Sequence, residues 1–156
     1  NIGDTIRFTS LNPYRIIVTG RIKQFLSAFG EHVISEEVEK ALSQTLNNTN
    51  VIVKEFTVAP QINPREGLPH HDWYIDFEVP PTNIKDFSKE LDNHMRRLNI
   101  YYDDLVAGGI VKPLIVKRTK QDDFKNYMRS VGKLGGQNKV PRLSNDRKIV
   151  DQLTLY

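Results

Sequence analysis

Cysteine is absent from the 156 residues. That absence excludes disulfide frameworks, thiolate zinc sites and thiol nucleophiles together, and it suits a reducing, cytoplasmic setting. No apolar run approaches the roughly 20 residues needed to cross a bilayer, and Asn1-Ile2-Gly3-Asp4 carries neither a basic segment nor a signal-type apolar stretch. No membrane partner is expected. There is no Gly-x-Ser-x-Gly elbow, no Walker phosphate loop and no Gly-x-Gly-x-x-Gly fingerprint. Any nucleotide the chain uses must therefore have its phosphates cradled by another segment. Nothing matches the aromatic strand on which RNA-recognition motifs stack bases, so nucleic acid is not an expected partner either.

What is present describes a folded domain. Hydrophobic residues make up 38% and charged residues 26%, outside the regime of low hydrophobicity and high net charge that keeps chains disordered. The length fits one domain with an appendage. Net charge is +3 but unevenly spread: Val111 to Lys148 holds eleven basic and three acidic residues, leaving +8 there and −5 elsewhere. This C-terminal quarter is the candidate anion-facing surface. Most of its lysines read as a solvated helix face, with Lys139 and Arg142 set apart by the motif around them.

Periodicity lays out the elements. Thr5 to Ser10 alternates, stops at Asn12-Pro13, and is followed by the β-branched run Tyr14 to Thr19 ending at Gly20, which predicts a hairpin. Lys23 to Phe29 reads as a strand closed by Gly30. A helix then begins with Ser35 as cap and Glu36 and Glu37 at its positive end, and buries Val38, Ala41, Leu42, Thr45 and Leu46. Glu39 faces solvent with them. Val51 to Ala59 and Asp72 to Val79 read as antiparallel strands, the second placing Trp73, Ile75, Phe77 and Val79 on one face. A second helix carries Ile84, Phe87, Leu91, Met95 and Leu98. A strand follows over Ile110 to Arg118 with Pro113 near its start, then a helix over Gln121 to Val131, and a short helix from Asn145 to Leu153 capped by Ser144.

The resulting order predicts an α+β fold, a ferredoxin-like antiparallel sheet with helices packed on one face. Residues 1–22 fall outside that pattern and read as the end of another unit, leaving 23–156 as the domain proper. The tract His70-His71-Asp72 holds three potential metal ligands, but adjacent strand residues point to opposite faces, and no metal site is expected. His32 and His94 have no partner that spacing identifies.

Two stretches rise above this background. One runs through Ile2-Gly3-Asp4, Tyr14-Arg15-Ile16 and Gly20-Arg21-Ile22-Lys23 to Phe29-Gly30-Glu31 and Glu36-Glu37-Val38-Glu39; the other is Gly132 to Leu143, including Gly135-Gly136 and Asn138-Lys139-Val140-Pro141-Arg142. Together they resemble the C-terminal portion of adenylate-forming enzymes, most closely the auxin-responsive Gretchen Hagen family of acyl-acid amido synthetases and its bacterial relatives. The resemblance covers nearly the whole chain.

The resemblance implies a C-terminal lid preceded by the last hairpin of a large N-terminal domain, from an ATP-dependent ligase. Such an enzyme joins an acyl acid to an amino acid, with Mg held mainly by the large domain. It assigns Asp4 and Arg21 to the ribose of ATP, where a carboxylate can accept two hydrogen bonds side by side. Lys23 matches the hinge. Lys139 matches the mobile lysine that offsets charge at the α-phosphate, on a loop freed by Gly135 and Gly136 and ended by Arg142. By spacing alone, Lys139 also reads as a solvated loop lysine and Asp4 as a turn aspartate. The sequence departs from the wider superfamily at Asn138, where glycine is usual. It departs again at Ser27, where acyl-CoA ligases often carry lysine, which argues against coenzyme A chemistry. The alternatives are the lid of an acyl-CoA synthetase, or a non-enzymatic ferredoxin-like module binding an anionic partner. A start at Asn1 suits a portion of a longer protein, and without the large domain the chain is expected to be inactive.

Overall fold

The computed structural model describes residues 4–21, 25–133, 135 and 138–156, with the backbone alone for 4, 5 and 19–21. The hairpin read from the sequence is present: β1 (Asp4–Leu11) and β2 (Tyr14–Arg21) pair antiparallel as a separate two-stranded sheet, with register shifts at Thr5/Ile6 and Phe8/Ser10. The strand read over 23–29 is shorter. Its described part, β3 (Phe25–Leu26), pairs with β4 (Val33–Ile34), because Gly30 (φ 93°) and His32 (φ 47°) turn the chain back. Gly30 takes that left-handed geometry without a Cβ penalty.

β4 leads directly into α1 (Ser35–Leu46). Ser35 does not cap it. The residue before the helix is Ile34, in an extended conformation, and its N–H donates to the Glu37 carboxylate at 3.0 Å while the Ser35 hydroxyl is buried without a partner among the described residues. Val38, Ala41 and Leu42 of α1 turn into the core.

The central sheet has the order β5 (Ile52–Gln61), β6 (His70–Val79), β7 (Ile115–Arg118). The α+β class is thus observed, with a mixed sheet rather than a wholly antiparallel one. β5 and β6 are antiparallel, but β7 runs parallel to β6 from Asp72↔Ile115 to Ile75↔Arg118. A parallel neighbour needs a long crossover, supplied here by α2 (Ile84–Leu98) and α3 (Ile100–Ala107). The sequence pattern showed α2 but not α3. Asn99 separates them: its N–H closes α2 on the Met95 carbonyl (2.9 Å), while its side-chain oxygen accepts from the Tyr102 N–H (2.8 Å) to start α3.

Helices cover both faces of this sheet, correcting the one-faced arrangement expected above. On one side Trp73, Ile75 and Phe77 of β6 pack with Phe56, α1 and α2, the Phe56 and Trp73 rings stacking at 5.7 Å. On the other, Tyr74 and Ala59 pack under α4 (Asp123–Ser130), Val140, and a single 3-10 turn at Val150–Gln152. The helix expected over 145–153 reduces to that turn. In this stretch Asp146 takes the Lys148 N–H at 3.1 Å and Arg147 reaches into the sheet instead of lying along a helix surface. Among the described residues no helix is long and apolar enough to cross a membrane.

Candidate functional site

The second core fixes the loop that carries Lys139. α4 stops at Gly132 (φ 67°), and the Lys133 N–H closes the turn on the Met128 carbonyl at 2.8 Å. Gly135 (φ 88°) bends the chain again; Gly136 lies outside the described residues. Asn138 and Lys139 are exposed, and immediately afterwards the chain docks: Val140 is buried against the second core and Leu143 against the first. Between them the Thr57 hydroxyl donates to the Pro141 carbonyl (2.7 Å), the Val58 N–H donates to the Arg142 carbonyl (2.9 Å), and the Ser144 N–H donates to the Val58 carbonyl (2.9 Å). These bonds make the segment a parallel bridge along the outer edge of β5. Lys139 is therefore the last free residue of a glycine-bearing loop whose downstream end is nailed to the sheet.

Lys139 lines an open cavity of about 250 Å³ with Lys54, Lys133, Glu55, Asp76 and Asp122. Asp76 is its unusual member. The carboxylate is 3% exposed and accepts the Asp122 N–H at 3.0 Å. Burial pushes its pKa up, the neighbouring Asp122 and Asp123 charges push the same way, and the Asp122 N–H and Lys54 hold it partly back.

Arg142 is engaged rather than presented. Its guanidinium pairs with Glu39 at 3.2 Å and with Glu55, donates to the Phe56 carbonyl at 3.2 Å, and lies over the Phe56 ring 4.5 Å from its centroid. Such planar, multiply bonded geometry suits arginine and not lysine.

Asp4 and Arg21 are brought together as direct cross-strand partners at the open end of the β1–β2 hairpin. Lys23, the candidate hinge, lies outside the described residues.

The basic C-terminal quarter divides in a way its composition does not show. Lys120, Lys125, Arg129, Lys133, Lys139 and Lys148 face solvent. Lys117 and Arg147 point inward instead, meeting fully buried Asp72 at 2.8 and 3.1 Å, with His70 at 3.2 Å. Burial alone would raise the Asp72 carboxyl, but the bonds to His70 and Lys117 and the Lys117 charge bring it below its ordinary value. Arg147 also donates to the Tyr74 hydroxyl at 2.7 Å. These bonds strap the C-terminal segment to β6. The alternation of β6 contained this signal, since Asp72, Tyr74 and Asp76 share its second face, but their partners lie 45 or more residues further along the chain.

His70 and His71 do turn to opposite faces. His71 stacks between Phe29 (5.7 Å) and Tyr102 (5.3 Å) and bonds to buried Glu31 at 2.8 Å. His94 pairs with Glu90 one turn away, and His32 rests on Phe25. Beyond His71, the Tyr102 hydroxyl donates to Asp92 at 2.6 Å, and the Leu114 N–H is shared between them at 3.0 Å to each. The burial and the Asp92 charge hold the Tyr102 proton on, far above the usual phenol range. This chain of polar groups is internal and organises the crossover rather than a site.

Comparison with known proteins supplies the family. A model described as the GH3 family C-terminal domain matches residues 36–148. Among solved structures, one of a "GH3.15 acyl acid amido synthetase" superposes with a TM-score of 0.77 at 20% identity, and one of "AtGH3.15 acyl acid amido synthetase in complex with 2,4-DB" with 0.73 at 18%. Each match covers 99% of this chain and 31% of the other, so the chain spans less than a third of those proteins. No curated protein sequence matches it.

Proposed function

The chain belongs to the GH3 family, as its C-terminal domain, and from that premise we propose that it is the mobile lid of an ATP-dependent acyl-acid amido synthetase. In the first half-reaction a carboxylate oxygen attacks the α-phosphorus of ATP, giving acyl-adenylate and releasing pyrophosphate. In the second, an amino acid's amine attacks the acyl carbon; the bond to AMP breaks, a proton leaves the nitrogen, and an amide forms.

The family resemblance supplies the residue roles. Lys139 enters the site of adenylation, where its ammonium offsets the negative charge that builds at the α-phosphate, an effect enlarged wherever water is excluded. Asp4 and Arg21, a carboxylate and a guanidinium on facing strands, suit a ribose, whose hydroxyls can both donate and accept. ATP phosphates and Mg belong to the large domain, as this sequence has no phosphate-cradling loop. Lys23 is the proposed pivot.

The hairpin supports the larger assembly. Ile6, Phe8, Leu11, Tyr14, Ile16, Ile17 and Val18 are 40–79% exposed on a sheet of two strands. An isolated two-stranded hairpin is marginal in water, and exposed apolar pairs such as Ile6 with Val18 and Phe8 with Ile16 are ordinarily covered. The proposal is that it packs in the large domain.

The observation that carries the reading is Lys139 at the free end of a loop anchored to β5, in a domain of this family. Its test is acceptor dependence in the intact protein. With an acyl acid and ATP, AMP release should require an amino acid and leave an amide. Release that requires coenzyme A and leaves a thioester would assign the acyl-CoA alternative instead.

A further inference from the structure

Lys139 can act at one point only if something sets where its loop leaves the sheet. Three residues of extended chain reach roughly 10 Å, so a fixed point at residue 142 confines Lys139 while leaving it mobile. The backbone bonds at Val58 supply part of that fixed point. The Thr57–Pro141 bond and the burial of Val140 add to it, and the Arg142 side chain completes it with partners from two elements: Glu39 on α1 and Glu55 on β5. They are not equivalent. The Glu39 side chain is 57% exposed, and that of Glu55 is 26% exposed. Glu55 sits at a register irregularity of β5, and the same carboxylate oxygen that meets Arg142 accepts the Phe56 N–H at 3.1 Å. Irregularities of this kind re-aim a strand side chain. Here the aim is along the edge toward Arg142 rather than into solvent. Glu55 also borders the cavity that Lys139 lines, so it touches both the anchor and the space into which the lysine moves.

We propose that Glu55 is a positioning residue for adenylation: through Arg142 it holds the 140–143 segment against β5 and thereby sets the reach of Lys139. The inference rests on the reading of Lys139 given above. It makes Glu55 dispensable for the second half-reaction, in which Lys139 takes no part. It also separates the roles of the two glutamates, with Glu39 trimming the clamp from its exposed side.

The test compares half-reactions in the intact enzyme. Glu55→Gln keeps the shape and removes the charge. Acyl-acid-dependent pyrophosphate exchange should fall by about 10–100-fold, the size of effect a misplacement on the order of 1 Å can have on a reacting geometry. Amide formation from supplied acyl-adenylate should stay at the wild-type rate, and Glu55→Asp should recover part of the lost exchange. In a Lys139→Ala background Glu55→Gln should cost nothing further, because both changes remove one effect. A merely structural Glu55 would lower both half-reactions alike and add to Lys139→Ala, and either result overturns the proposal. If Lys139→Ala cripples exchange while Glu55→Gln does not, the positioning role is refuted and the reading of Lys139 stands. If Lys139→Ala leaves exchange intact, both are refuted. Should Glu55→Gln fold poorly by its thermal midpoint, Glu39→Gln, an exposed change, should show a smaller drop of exchange alone; no drop would count against the clamp.

Discussion

Replacing Glu31 by glutamine tests how the first core is tied to the sheet. Glu31 is fully buried, bonds to His71 at 2.8 Å, and accepts the Phe29 N–H at 2.7 Å. Burial by itself would raise its pKa, but the bond to His71, the His71 charge and the N–H groups of Glu31 and Phe29 outweigh it, and the net shift is downward from 4.5. A carboxylate whose folded pKa is depressed stabilises the fold above its unfolded value, and that stabilisation is lost as pH falls through the folded one. Glutamine keeps the size and one acceptor but gives up the charge-assisted bond. The loss of one such bond costs about 1.5–3 kcal/mol. At roughly 2–4 °C per kcal/mol for a chain of this size, Glu31→Gln should lower the thermal midpoint by about 3–12 °C at pH 7. Scanning calorimetry of wild type and variant from pH 7 down to pH 3 is the assay. The gap between the two midpoints should hold above pH 5 and shrink below the unfolded value of 4.5. A gap under about 1 °C at pH 7 would refute the argument, since it corresponds to less than half a kcal/mol. So would a gap that stays constant to pH 3, because the Glu31 charge would then not be its source.

Other expectations concern the crossover, the nucleotide and the hinge. Asn99→Ala removes the acceptor that starts α3 and the Asn99 amide bond to Glu37 (3.0 Å), and should cost about 1–2 kcal/mol in a thermal or urea melt. A neutral result would mean that the break between α2 and α3 is imposed by packing. The chain by itself should bind ATP weakly by calorimetry, since it lacks a phosphate-cradling loop; a low-micromolar Kd would show that it holds a complete nucleotide site. In the intact enzyme Lys23→Pro fixes φ at a connecting residue and should spare one half-reaction while blocking the other. Both running at wild-type rates in a stably folded variant would move the pivot, and the boundary at 22/23, elsewhere.

The parts of the fold that were legible are those whose information is local. Val38, Ala41 and Leu42 recur at helical spacing, as do Phe87, Leu91 and Met95, and all are buried as that spacing requires. The alternation of Trp73, Ile75 and Phe77 likewise named one face of β6. What escaped was set by partners far along the chain. Asp72 looks like the polar side of a half-buried strand until Lys117 and Arg147 arrive to cover it. α3 is short and opens with exposed Ile100 and Tyr101, so it presents no clean apolar stripe, and its start depends on Asn99 serving two helices. Ser35 has the chemistry of a cap but falls one residue late, because β4 runs to Ile34. Of the candidate site, Lys139 and Arg142 were marked by their glycine-rich approach and by Pro141. Glu55 gave no signal, since a single glutamate in a β-branched run shows neither the bulge that aims it nor the arginine 87 residues on that it meets.

The central claim is that Lys139 serves the first half-reaction and not the second. Its direct measurement is acyl-acid-dependent pyrophosphate exchange by the intact enzyme, wild type against Lys139→Ala, beside amide formation from supplied acyl-adenylate. Exchange should fall by about 10²–10³, the usual loss when one preorganised charge is taken from a reacting centre, while amide formation proceeds at the wild-type rate. Equal losses in both steps, or an undiminished exchange, would contradict the account.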